Sequence, residues 1–133
     1  MLKITISGAP GSGTSTLVGK IKQSTGWRSL NGGEVFRSEA KRRGLSVVEF
    51  SELCKKDLNV DRSLDRLLQD SMNDKAGPEI IESRLAGWWA KQLEIECLRV
   101  WISTSDEERA RRRAGGRAAV WAGVAARIGG DEE

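Results

Sequence analysis

The chain has 133 residues, with 22 lysines and arginines against 19 aspartates and glutamates, a net charge of +3 and 38% hydrophobic residues. That length gives one domain, residues 1–133, with a real core and excludes two comfortable ones, while so mild a basic excess does not argue for a nucleic-acid coat. The absence of histidine excludes Ser-His and Cys-His nucleophiles, so any chemistry runs on carboxylates, hydroxyls, arginines and backbone amides.

The opening "LKITIS" alternates Leu2, Ile4 and Ile6 with Lys3, Thr5 and Ser7, a strand pattern closed by a glycine-rich turn. The start "MLKITISG" lacks a basic region, apolar block and cleavage site, and no stretch reaches the roughly 20 apolar residues of a membrane span. No membrane partner is expected, and the plain expectation is a cytoplasmic protein. From Thr14 onward Leu17, Val18 and Ile21 recur at helical spacing as far as Gly26.

Between this strand and helix lies "GAPGSGTST", residues 8 to 16. Gly8, Gly13, Thr14 and Ser15 match GxxxxGK[ST] at every defined place except the lysine, which is Thr14. Such glycines let the backbone turn tightly and aim successive amides into one concavity at a helix N-terminus. These donors survive without the lysine, and Ser15 takes the hydroxyl position that ligates Mg²⁺. The competing reading is a glycine-rich turn with no ligand.

Next, "WRSL" is a short second strand, "GEVFRSEAKRRG" a helix stopped at Gly44, and "SVVE" a further helix behind a Ser46/Glu49 capping box. "VDRSLDRLLQDSM" is a helix with Leu64, Leu67, Leu68 and Met72 on one face. "PEIIE" and "ECLRVWIS" are strands, with Pro78 admissible only at the start of the first. Between them "SRLAGWWAKQL" is a short helix in which Trp88 and Trp89 are packing residues. "SDEERARRR" opens a helix behind a second cap, Ser105 with Glu108. Cys54 and Cys97 lack a CxxC spacing and are read as core residues, with no disulfide or metal role. Strands alternating with helices give an α/β fold with a parallel sheet flanked by helices.

In the tail, Val120, Trp121, Val124 and Ile128 keep an apolar step through an Ala/Gly/Arg-rich stretch. No fifth strand is expected there.

Read together, "ITISGAPGSGTST", "GEVFRSEAKRRGLSVVEFSEL", "VDRSLDR", "IIESRLAGWWAK" and "RVWISTSDEERARRR" resemble the cytidylate kinases of the archaeal type, in the nucleoside monophosphate kinase branch of P-loop proteins. There the loop ends Gly-Ser-Gly-Thr-Thr-Thr, so the resemblance makes Thr14 the family's own pattern. It implies ATP-dependent phosphorylation of CMP or dCMP with Mg²⁺ as cofactor. ATP would lie on Gly8, Ala9, Pro10, Gly11, Ser12, Gly13, Thr14, Ser15 and Thr16, with Ser15 on the metal. Arg37 and Arg84 would hold the acceptor phosphate, Asp61, Arg62 and Asp65 would face the acceptor's base and sugar, and Arg84, Arg109 and Arg112 would act in transfer. Residues 31–75 would form the acceptor segment and 105–128 a lid.

The residues support these roles by their own chemistry, since a guanidinium fork matches two phosphate oxygens and in-line transfer needs both phosphates clamped. Each has a competing reading: Arg37 as part of a solvated helical face, Asp61 to Asp65 as exposed helix charges, and Arg109, Arg112 and Arg113 as a basic surface. The family continues past the lid into a further helix, strand and closing helix, so the resemblance implies a truncation at the C-terminus of this sequence. It leaves the 96–103 strand as an unpaired edge, open to weak self-association of an otherwise monomeric protein. The alternative function is a non-catalytic nucleotide-binding fragment. An RNA-binding module on "KRR" and "RARRR" is the weakest reading, for want of interleaved exposed aromatics.

Overall fold

In the computed structural model, residues 1–9, 11–115 and 125–129 are described. Through these residues the elements run in the order β1 (Ile4–Gly8), α1 (Thr14–Thr25), β2 (Ser29–Asn31), α2 (Gly32–Arg42), α3 (Val47–Lys56), α4 (Leu58–Asn73), β3 (Ile80–Glu82), α5 (Ala86–Gln92), β4 (Leu98–Ser103), α6 (Asp106–Gly115) and β5 (Ala125–Gly129). The sheet order is β2-β3-β1-β4-β5. The first four strands are mutually parallel, as βαβ connections require.

Two expectations are corrected at the sheet edge. A fifth strand does form, and β4 is not an open edge, because β5 pairs with it antiparallel from Arg99↔Gly129 to Ser103↔Ala125. The edge left for a further strand is therefore β5. The end of the 105–128 segment enters the sheet, while Val120, Trp121 and Val124 lie outside the described residues.

Alternation along the strands divides the core. Ile4, Ile6, Ile80, Val100 and Ile102 pack with Val18 of α1 on one face. On the other, Leu2, Ile81, Leu68, Met72, Trp89 and Ala90 join α4 and α5 to the sheet. Ala40, Phe50 and Cys54 form a smaller cluster that ties α2 to α3. The packing face of α4 is narrower than expected, since Leu68 and Met72 are buried but Leu67 is exposed. Cys54 is buried and Cys97 half-buried, and both thiols are free.

The helix boundaries follow their local chemistry. The Ser46 hydroxyl accepts from the Glu49 amide and the Glu49 carboxylate accepts from the Ser46 amide, closing the capping box of α3. Asn31 caps α2 through the Glu34 amide. Gly26 ends α1 in a left-handed conformation, φ 74°, which a Cβ would disfavour. Pro78 lies two residues before β3, so the strand avoids its missing amide.

Within α2, the Glu39 carboxylate, 7% exposed, accepts from both Arg42 and Arg43. The Arg42 hydrogen bond is the chief cause that draws its pKa down to about 2, against an opposing effect of burial. No helix among the described residues is long and apolar enough to cross a membrane.

Candidate phosphate-transfer cleft

Parallel strands send their C-terminal ends to one edge of the sheet, where an open α/β fold binds its ligands. Gly8 of β1, Glu82 of β3, Ser103 of β4 and Asn31 of β2 end there. The loop after β1 turns on Gly11 and Gly13, both left-handed at φ 82° and 103°, and the Ser12 amide donates to the Ala9 carbonyl at 3.1 Å. α1 starts with no side chain capping its amides and no acidic residue in its first turn. Amides at a helix N-terminus of this kind suit an anion.

Gly8 is fixed by space. A Cβ there would lie 2.5 Å from the Ser12 hydroxyl and 2.9 Å from the Ile102 carbonyl, so the loop could not fold back onto β1. Pro10 lies outside the described residues.

The Ser15 hydroxyl donates to the Glu82 carboxylate at 3.1 Å. This pair joins the first turn of α1 to the end of the neighbouring strand. A hydroxyl and a carboxylate are hard oxygen ligands suited to Mg²⁺, which takes one or two protein oxygens and fills its shell with phosphate and water. Glu82 was not singled out in the sequence. The signal was its place at the end of an apolar strand next to the phosphate loop, but its partner is 67 residues away.

Arg84, just past β3, is exposed and lines two adjoining cavities. One, of about 190 Å³, is walled by Gly8, Ala9, Thr14, Glu82 and Ser83. The other, of about 540 Å³, is walled by Gly32, Asp65, Ser83, Leu85, Trp89 and Trp101. Arg84 thus borders both the phosphate-loop side and the helical side of the cleft.

The remaining candidates divide. Asp65 lines the larger cavity, and its pKa is raised first by burial and then by the Asp61 charge. Asp61 and Arg62 are exposed on α4 and line neither cavity. Arg37 is also exposed; its guanidinium folds back over Gly33, where a Cβ would meet it at 3.1 Å, next to Gly32 on the cavity wall. α6 begins near the end of β4 with its Glu108 amide donating to Ser105. The side chains of Arg109 and Arg112 lie outside the described residues. Trp89 is buried as expected, but Trp88 is 58% exposed and is not a packing residue within this protein.

The family described as "AAA domain" matches residues 7–119. The chain belongs to the AAA domain family. The match takes in the phosphate loop, Glu82 and Arg84, the residues that border the cleft. Among curated proteins, the chain is 38% identical over 113 residues to a cytidylate kinase of Archaeoglobus fulgidus, covering 85% of this chain and 61% of that one. It is 38% identical over 111 residues to a cytidylate kinase of Halobacterium salinarum, covering 84% and 56%. It is likewise 38% identical over 113 residues to that of Pyrococcus horikoshii, covering 85% and 56%. The chain therefore spans between 56% and 61% of the length of these three relatives.

Proposed function

We propose that the cleft transfers the γ-phosphoryl group of ATP to CMP or dCMP, giving ADP and CDP or dCDP. The single observation that carries this reading is Arg84, shared by the phosphate-loop cavity and the cavity beneath α2 and α4. Its two-sided position suits a reaction in which two phosphates meet end to end. The names of the relatives favour cytidylate as the acceptor.

The loop amides and the α1 N-terminus hold the β- and γ-phosphates, with Thr14 giving a neutral hydroxyl where other P-loops carry a cation. Arg84 draws the acceptor phosphate up to the γ-phosphorus. An acceptor phosphate oxygen forms the new P–O bond as the bond to the β–γ bridging oxygen breaks, leaving ADP. Arg84, with Arg109 and Arg112 of α6, offsets the charge on the transferring group. Arg37 steadies the acceptor phosphate, and Asp61, Arg62 and Asp65 face its sugar and base. Ser15 and Glu82 would hold Mg²⁺, which screens the phosphate charges when bound. With no protein nucleophile needed, a protein without histidine in an aqueous compartment such as the cytoplasm is adequate.

A coupled assay for ADP with CMP, dCMP, UMP and AMP tests the reading. The expected result is turnover with the cytidine nucleotides above the others. Absence of turnover with every acceptor at high protein concentration rejects it. A second reading, nucleotide binding without transfer, would be favoured by calorimetry showing ATP and CMP binding with no product.

A further inference from the structure

Among the described residues, Ser83 shares with Arg84 alone the property of walling both cavities of the cleft, and the proposed transfer gives it no part. It follows β3 directly, between Glu82 and Arg84, and is half-buried.

Its main chain is held at both ends. The Ser83 amide donates to the Ile6 carbonyl of β1 at 3.2 Å, and the Ser83 carbonyl accepts from the Ala86 amide at the start of α5 at 3.2 Å. Ile6 and Ala86 are both fully buried. These two bonds make the bend out of the strand and fix where the Ser83 side chain begins, the kind of support that keeps a site group in place.

The hydroxyl is not needed for that bend. Its oxygen accepts from the Leu85 amide at 3.4 Å, beyond the usual range of roughly 2.7–3.2 Å for such a bond. Even that contact uses a lone pair. The O–H proton, the one donor of a serine side chain, has no acceptor among the described residues.

The surroundings say what such a donor suits. Glu82 on one side is paired with Ser15, Arg84 lies on the other, and Gly8, Ala9 and Thr14 wall the smaller cavity. Under the proposed function, the donor and acceptor phosphates meet where the two cavities share a wall. A neutral O–H at that point adds a hydrogen bond to a negatively charged oxygen without repelling Arg84, as a further cation would.

We propose that Ser83 is a further catalytic residue, whose hydroxyl donates a hydrogen bond to a non-bridging oxygen of the phosphoryl group in transit. The proton stays on the serine, and no bond to Ser83 forms or breaks. The inference rests on the proposed phosphoryl transfer and adds to it a donor beside Arg84.

Ser83→Ala is compared with the parent protein in the coupled assay with ATP, Mg²⁺ and CMP. The expected result is a kcat lower by about tenfold, the lower end for a hydrogen bond to a charged group. The KM values for ATP and CMP should stay nearly unchanged, since the bond is strongest during transfer. A residue that only shaped the turn would lower the denaturation midpoint and leave the kcat of the folded protein as it was. The loss should recur when Ser83→Ala is made in an Arg84→Ala background, because the hydroxyl meets phosphate itself. If it vanishes there, Ser83 only props Arg84 and the proposal fails. Calorimetry with a dinucleotide, adenosine and cytidine linked by five phosphates, gives a readout without turnover: its affinity should fall severalfold in Ser83→Ala while that of CMP alone holds. An unchanged kcat overturns the proposal and leaves the kinase reading standing. A parent protein without turnover rejects the kinase reading, and equal dinucleotide affinities in parent and variant would then remove Ser83 as a phosphate donor as well.

Discussion

Arg84 acts through its position between two cavities, so its charge alone is not sufficient. Arg84→Lys keeps a cation but loses the fork that spans two phosphates. On the proposed function, Arg84→Ala lowers kcat by about a thousand-fold, the lower end of what a transfer-stabilising arginine contributes, with a smaller change in the KM for ATP. A steady-state comparison of the two parameters checks this. Glu82→Gln tests the metal pair: the Mg²⁺ concentration for half-maximal rate should rise about tenfold, and an unchanged Mg²⁺ dependence would remove Glu82 from the site. Glu39 is a structural counterpart. Its folded pKa of about 2 lies below the ordinary 4.5, so its contribution to stability is fully present above pH 4.5 and lost as the pH falls from there through about 2. Glu39→Gln should cost about 1–2 kcal/mol at neutral pH and flatten the acid limb of a denaturation series. Ser46 and Glu49 were legible because both partners of the capping box lie within four residues. Glu82 was not, because the Ser15 hydroxyl that gives it meaning reaches it only through the parallel pairing of β1 with β3.

Among the elements, α1 and its loop depend on local chemistry, and the spacing of Gly8 and Gly13 is visible without coordinates. Gly8→Ala should therefore fail locally: its Cβ would meet the backbone carbonyl of Ile102 at 2.9 Å and cost about 1–3 kcal/mol of strain. Chemical denaturation measures that loss, and calorimetry should show ATP binding reduced further than the stability change explains. β5 is the opposite case. "AARIG" has low strand propensity, and only its pairing with β4 decides its conformation, so a local reading found no fifth strand there. α5 shows the same limit on a finer scale. Trp88 and Trp89 are neighbours of the same type, yet one is exposed and the other buried, because successive side chains on a helix point about 100° apart.

At the largest scale, the described residues form a sheet of four parallel strands and one antiparallel strand, whose C-terminal edge gathers the phosphate loop, Glu82 and Arg84, with α2 to α4 beside it forming a helical wall. Alternating strands and helices foretold that edge, while the cavities on it depended on distant segments meeting. The central claim is that the cleft holds two nucleotides with their phosphates in line across Arg84. The most direct test is calorimetric titration of a two-headed ligand, adenosine and cytidine joined through five phosphates, against ATP and CMP separately. The account predicts a one-to-one complex at least about tenfold tighter than either nucleotide alone, as linkage of two occupied sites requires. Binding no tighter than ATP alone, or unchanged in Arg84→Ala, would contradict it.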